Sequence, residues 1–109
     1  MAYDEDLADR IRSLMGKRKN TEKKMFGGLA FLIGGHMSIS ASGKGGLLVR
    51  FDPADTAKVM KLEGVEPFEM RGRAMEGWAR VLPEGVKTDK QLAAWVDRTV
   101  AYAASLPPK

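Results

Sequence analysis

Residues 25–37, MFGGLAFLIGGHM, constrain the chain more than any other stretch. An apolar run lies between two glycine pairs, and the only histidine follows the second pair. Gly-Gly between runs of strand formers is a two-residue hairpin signal, because glycine reaches positive φ without steric cost. The stretch is therefore expected to form a strand, a reversal at Gly34-Gly35 and the start of a second strand. Gly27-Gly28 within the first strand points to a bulge or a close backbone approach. Met37, Ile39 and Ala41 alternate with Ser38, Ser40 and Ser42, which predicts one apolar and one polar face. Beyond the glycine-rich turn at 42–46, Leu47, Val49 and Phe51 read as the core side of a third strand.

Around this hairpin the helices are marked by their ends. Leu7, Ile11, Leu14 and Met15 fall on one face of a helix over 4–15. Acids fill its first turns, Gly16 can close it, and Lys17, Arg18 and Lys19 follow where cations suit the helix dipole. Asp52-Pro53 opens a second helix, with Ala57, Val59, Met60 and Leu62 on its apolar side and Gly64 ending it. A second hairpin follows, with Phe68 and Met70 expected to face inward and Trp78, Arg80 and Leu82 alternating with Ala79 and Val81. Thr88-x-x-Gln91 is a capping box, and Leu92, Val96, Val100, Ala103 and Leu106 recur at helical spacing behind it. The order is α-β-β-β-α-β-β-α, an α+β domain with an antiparallel sheet of about five strands. At 109 residues the chain is read as one domain over 1–109.

Composition narrows the chemistry. Cysteine is absent, which excludes disulfides, a thiol nucleophile and Cys-ligated zinc. No apolar run approaches the roughly 20 residues that span a bilayer, and the first ten residues are acidic rather than signal-like. A cytoplasmic protein without membrane attachment is expected. The net charge of +4 permits attraction to nucleic acid or acidic partners. Its densest run, 17–24, offers Lys17, Arg18, Lys19, Lys23 and Lys24 as a phosphate-contacting patch, but it contains an acid and no aromatics for base stacking, so a solvated connector is the favoured reading.

Other residues give no reaction. His36 has no neighbours at metal-ligand spacing and reads as structural or solvent-facing. The 43–46 glycine run lacks P-loop spacing and joins two strands. Glu63, Glu66 and Glu69 have no aromatic wall to raise a pKa. Arg71, Arg73 and Trp78, on a glycine-rich connection, are the strongest exposed group: two guanidiniums beside an aromatic suit a phosphate or a protein hot spot.

Four blocks, MFGGLAFLIGGHM, LLVRFDP, PFEMRGRAMEGW and AAWVDRTVAYAASLPPK, occur in an order that resembles the N-terminal domain of TfoX/Sxy proteins. The resemblance covers roughly residues 10–109. It implies an α+β fold similar to the secretion-chaperone-like arrangement. It also implies a regulatory role, since the competence regulators of this family act as coactivators with a cyclic-AMP-dependent transcription factor. Those regulators carry an additional C-terminal helical domain, which this sequence to Lys109 is read as lacking. No catalytic residues or cofactor are implied. The expectation is a non-enzymatic regulatory or adaptor module acting through a protein partner, with transcription machinery as the class implied. Direct nucleic-acid binding through the basic run is the alternative, a small-ligand site is a third reading, and a homodimer formed at a sheet edge is an open option.

Overall fold

In the computed structural model, which describes residues 3–16, 20–25, 27–43, 45–70 and 72–107, six strands form one antiparallel sheet in the order β1-β2-β3-β4-β6-β5. The strands are β1 (Thr21–Met25), β2 (Gly28–Ile33), β3 (His36–Ala41), β4 (Leu47–Arg50), β5 (Val65–Met70) and β6 (Arg73–Val81). Helix α1 (Glu5–Met15) precedes them, the one-turn α2 (Thr56–Val59) follows β4, and α3 (Asp89–Ser105) closes the domain. The α+β class and the antiparallel sheet are as expected from the sequence, with one strand more.

That extra strand is β1. Its sequence TEKKM has no apolar alternation and reads as a connector, yet it pairs along β2 from Thr21↔Leu32 to Met25↔Gly28. Charge is what an edge strand uses to resist pairing with another chain, so the residues that hid the strand also suit its position. The opposite edge, β5, carries Pro67, Glu66 and Glu69 and is blunted in the same way, since proline has no N–H to offer. Sheet extension at either edge is therefore disfavoured as a route to a homodimer.

Strand register sorts the side chains into two layers. Across the sheet one row runs Lys24, Leu29, Ala41, Leu47, Val81, Val65, and another Glu22, Phe31, Ile39, Val49, Ala79, Pro67. The apolar centres of both rows pack against Leu7, Ile11 and Met15 of α1 and Leu92, Trp95 and Val96 of α3, forming the main core. Between them the row Lys23, Ala30, Ser40, Leu48, Arg80, Glu66 points to the other face, because successive side chains alternate.

Two register shifts correct the simple alternation. One lies between Phe31 and Leu32, so that Met37 pairs with Leu32 and joins Ala30 and Leu48 on the outer face instead of Ile39 in the core. Ser38 and Ser40 consequently form no solvated stripe. Both are buried, and the Ser38 hydroxyl donates to the Phe31 carbonyl at 2.8 Å. The second shift lies between Pro67 and Glu69, and Phe68 packs outward against Trp78 rather than inward.

The helix ends follow their sequence signals. Asp4 accepts from the Leu7 amide at 3.2 Å and Gly16 closes α1. Thr88 and Gln91 form the reciprocal capping box of α3. The segment after Asp52 is shorter than its sequence suggests: a 3-10 turn over Pro53–Asp55 and then α2, in which only Val59 is buried. One anchoring side chain cannot hold a longer helix against the sheet. At the central hairpin Gly34 and Gly35 take φ of 60° and 85°, the geometry expected of that pair.

Candidate functional site

Trp78 lies on the outer face of β6, and the structure gives it a different cation from those read in the sequence. Arg73 begins β6 and is exposed, about 15 Å from Trp78 at strand rise, while Arg71 lies outside the described residues. The guanidinium that meets Trp78 belongs to Arg50, at the end of β4 and directly paired with it. The Arg50 guanidinium carbon is 5.5 Å from the Trp78 ring centroid and 5.7 Å from that of Tyr102 on α3. A cation held against two ring faces is fixed in position by the rings' quadrupoles. Phe68 extends the group, its ring centroid 5.9 Å from that of Trp78. Arg50 lies two positions beyond Leu48, hence on the same face, and the alternation of β4 is the sequence signal that marks it.

This aromatic group borders a second hydrophobic cluster. Ala30, Met37 and Leu48 are buried there, with Leu32, Phe68 and Trp78 half-buried around them. Among the described residues no helix residue belongs to the cluster, whereas the main core draws on both long helices. The outer row ends in opposite charges, Lys23 on β1 and Glu66 on β5, with Arg80 ion-paired to Glu66 at 3.7 Å. The apolar centre is itself buried, and what it leaves accessible is its border of half-buried aromatic and charged side chains, residue types that suit protein contact.

Of the basic run, Lys17, Arg18 and Lys19 lie outside the described residues, and Lys23 and Lys24 are exposed and face opposite sides of β1. Beside them on β1 a structural ion pair forms: Arg12 of α1 donates two 2.8 Å hydrogen bonds to the Glu22 carboxylate. Those hydrogen bonds outweigh the opposing effect of burial and, joined by the guanidinium charge, hold the Glu22 carboxyl below its ordinary pKa. The unfolded chain therefore binds this proton more readily than the folded one. The pair's stabilisation is present above about pH 4.3 and is lost as pH falls through the depressed folded value. Glu22→Gln is expected to lower stability modestly at pH 7 and hardly at all at the acid end, flattening the acid limb of the stability–pH profile, as urea titrations at several pH values would show.

His36 acts as a clasp between elements. Its Nε2–H donates to the Pro107 carbonyl at 2.6 Å, joining the central hairpin to the chain beyond α3, and its Nδ1 is buried without a partner among the described residues. The recess beside that hairpin, about 440 Å³, is lined by residues including Leu32, Gly34, Ala103 and Leu106 and by no carboxylate. A recess of about 500 Å³ between α3 and the Asp52–Asp55 turn contains Asp52, Asp55, Arg98 and Tyr102, with Arg98 ion-paired to Asp55 at 3.9 Å. Among the described residues no nucleophile–base pair is formed in either. The 43–46 run is the turn joining β3 to β4, closed by the Ser42 amide donating to the Gly46 carbonyl at 3.0 Å. Among the described residues no cluster of three His, Cys, Asp or Glu is placed to hold a metal, and no helix is long and apolar enough to cross a membrane.

The family model described as TfoX N-terminal domain matches residues 13–103, most of the chain. No curated protein and no solved structure matches.

Proposed function

We propose, from the premise that the chain belongs to the TfoX N-terminal domain family, that it is a small non-catalytic regulatory module working through protein contact. The observation that carries this reading is the outer face of the sheet. There an apolar cluster without helix residues is bordered by the Arg50–Trp78–Tyr102 group. Large rings and arginine concentrate binding energy in protein interfaces because they bury much area with little loss of side-chain freedom. The family supports a regulatory setting of the competence type, with transcription machinery as the class of partner.

The alternative of direct nucleic-acid binding gains less support, since Lys23 and Lys24 diverge to opposite faces. Affinity capture with the wild-type chain, Leu32→Glu and Phe68→Glu is the test. A transcription-associated protein recovered by the wild type and lost with both variants is the expected result. Equal recovery with all three would remove the outer face from the reading. Anisotropy with labelled duplex DNA between about 50 and 200 mM salt tests the alternative, which requires saturable binding with a steep salt slope.

A further inference from the structure

We infer that Arg50 is an anion anchor: it takes a carboxylate side chain of a partner protein, while Asp52 takes a basic side chain beside it. This names the partner chemistry of the surface proposed above and rests on its protein-contact role. Arg10, Arg12, Arg80 and Arg98 each hold a carboxylate of this chain. Arg50 does not. Every aspartate and glutamate side chain lies among the described residues, and none is paired with it. Two rings hold the guanidinium instead, Trp78 at 5.5 Å and Tyr102 at 5.7 Å. Stacked rings leave the edge of a guanidinium, with its five N–H donors, for an acceptor in the plane. Arg50 is half-buried, yet among the described residues those donors meet no acceptor. The ring clamp also removes side-chain freedom before a ligand arrives, so a carboxylate would meet a preorganised fork.

The neighbouring charges decide which anion fits. Asp52 lies two residues beyond Arg50 and lines the recess of about 500 Å³ together with Asp55, Arg98 and Tyr102. Asp55 and Arg98 are paired and offset one another. Asp52 is exposed, its Oδ1 accepts from the Ala54 amide at 3.0 Å, and among the described residues no cation pairs with it. Tyr102 therefore touches an unneutralised guanidinium and shares its recess with an unneutralised carboxylate. A phosphate chain would meet Asp52 as a like charge. An extended segment with an acid and a base two residues apart presents both on one side and matches the two charges in turn.

The probes are capped Glu-Val-Lys, Gln-Val-Lys and Glu-Val-Gln peptides and inorganic phosphate, followed by NMR at the Arg50 Nε–H and the Trp78 indole N–H. Glu-Val-Lys should bind saturably with a millimolar Kd. Gln-Val-Lys should bind about tenfold more weakly and Glu-Val-Gln about threefold. Arg50→Lys keeps the charge but loses the fork, and should weaken Glu-Val-Lys about tenfold. Asp52→Asn can still cap the turn, and should bind Glu-Val-Lys and Glu-Val-Gln alike. Backbone amide spectra verify that each variant is folded. No Arg50 shift at about 10 mM peptide, or an Arg50→Lys affinity equal to the wild type, overturns the inference. Phosphate moving the Arg50 resonance at a lower concentration than Glu-Val-Lys overturns it as well. If no peptide binds but Leu32→Glu and Phe68→Glu still abolish capture, only the anchor falls. If Glu-Val-Lys binds as expected while both variants leave capture unchanged, the anchor stands and the outer cluster leaves the proposed function.

Discussion

Gly46→Ala is expected to cost about 4 kcal/mol of folding stability, combining backbone strain with overlap of a neighbouring strand. Gly46 has a φ of 69°, which L residues rarely adopt, and an added Cβ would overlap the Val81 carbonyl oxygen on β6. Neighbouring glycines separate the two causes. Gly45, at φ 90°, has nothing within 4 Å of its Cβ position, so Gly45→Ala should cost only the strain, about 1–2 kcal/mol. Gly28 lacks the positive φ, but its Cβ would meet the Ala41 carbonyl oxygen, so Gly28→Ala should cost about 2–3 kcal/mol through overlap. Urea titration of the three variants should rank Gly46 above Gly28 above Gly45. Equal losses at Gly45 and Gly46 would show that the tight approach of the 43–46 turn to β6 is not what holds β4 in place.

Phe31→Ala should also be severe, about 3–5 kcal/mol, because the ring is fully buried between the sheet and the long helices and its loss leaves a cavity. For a domain whose total stability is about 5–15 kcal/mol, that loss brings the folded state close to its limit. Phe68→Ala, on the outer face, should cost no more than about 1.5 kcal/mol, since its ring is only half-buried. The contrast measures the difference between the two layers. If Phe68→Ala proved as costly as Phe31→Ala, the outer cluster would be a second core layer and not a docking surface.

How far the sequence reaches depends on the range over which each signal acts. The ends of α1 and α3 are set by Asp4, Gly16, Thr88 and Gln91, whose hydrogen bonds span three or four residues, and they stand where read. Gly34-Gly35 is equally local. Strand β1 was illegible because its charged residues satisfy an edge position that exists only once β2 is in place. Arg73 and Trp78 are close in sequence but separated along one strand, while Arg50, distant in sequence, is the direct neighbour of Trp78 across the β4–β6 ladder.

The sequence by itself determined the α+β class, the helix caps, the central hairpin and the family, since these rest on local backbone preferences and on the order of recognisable blocks. Tertiary structure alone decided which apolar residues share a face. A one-residue register shift moves a side chain across the sheet, and the shift at Phe31/Leu32 sent Met37 outward, while the pairing of β5 with β6 put Phe68 on the same face as Glu66 and Trp78. The outer surface, with its Lys23-to-Glu66 row and the Arg50–Trp78 pair, is a product of strand pairing between segments far apart in the chain.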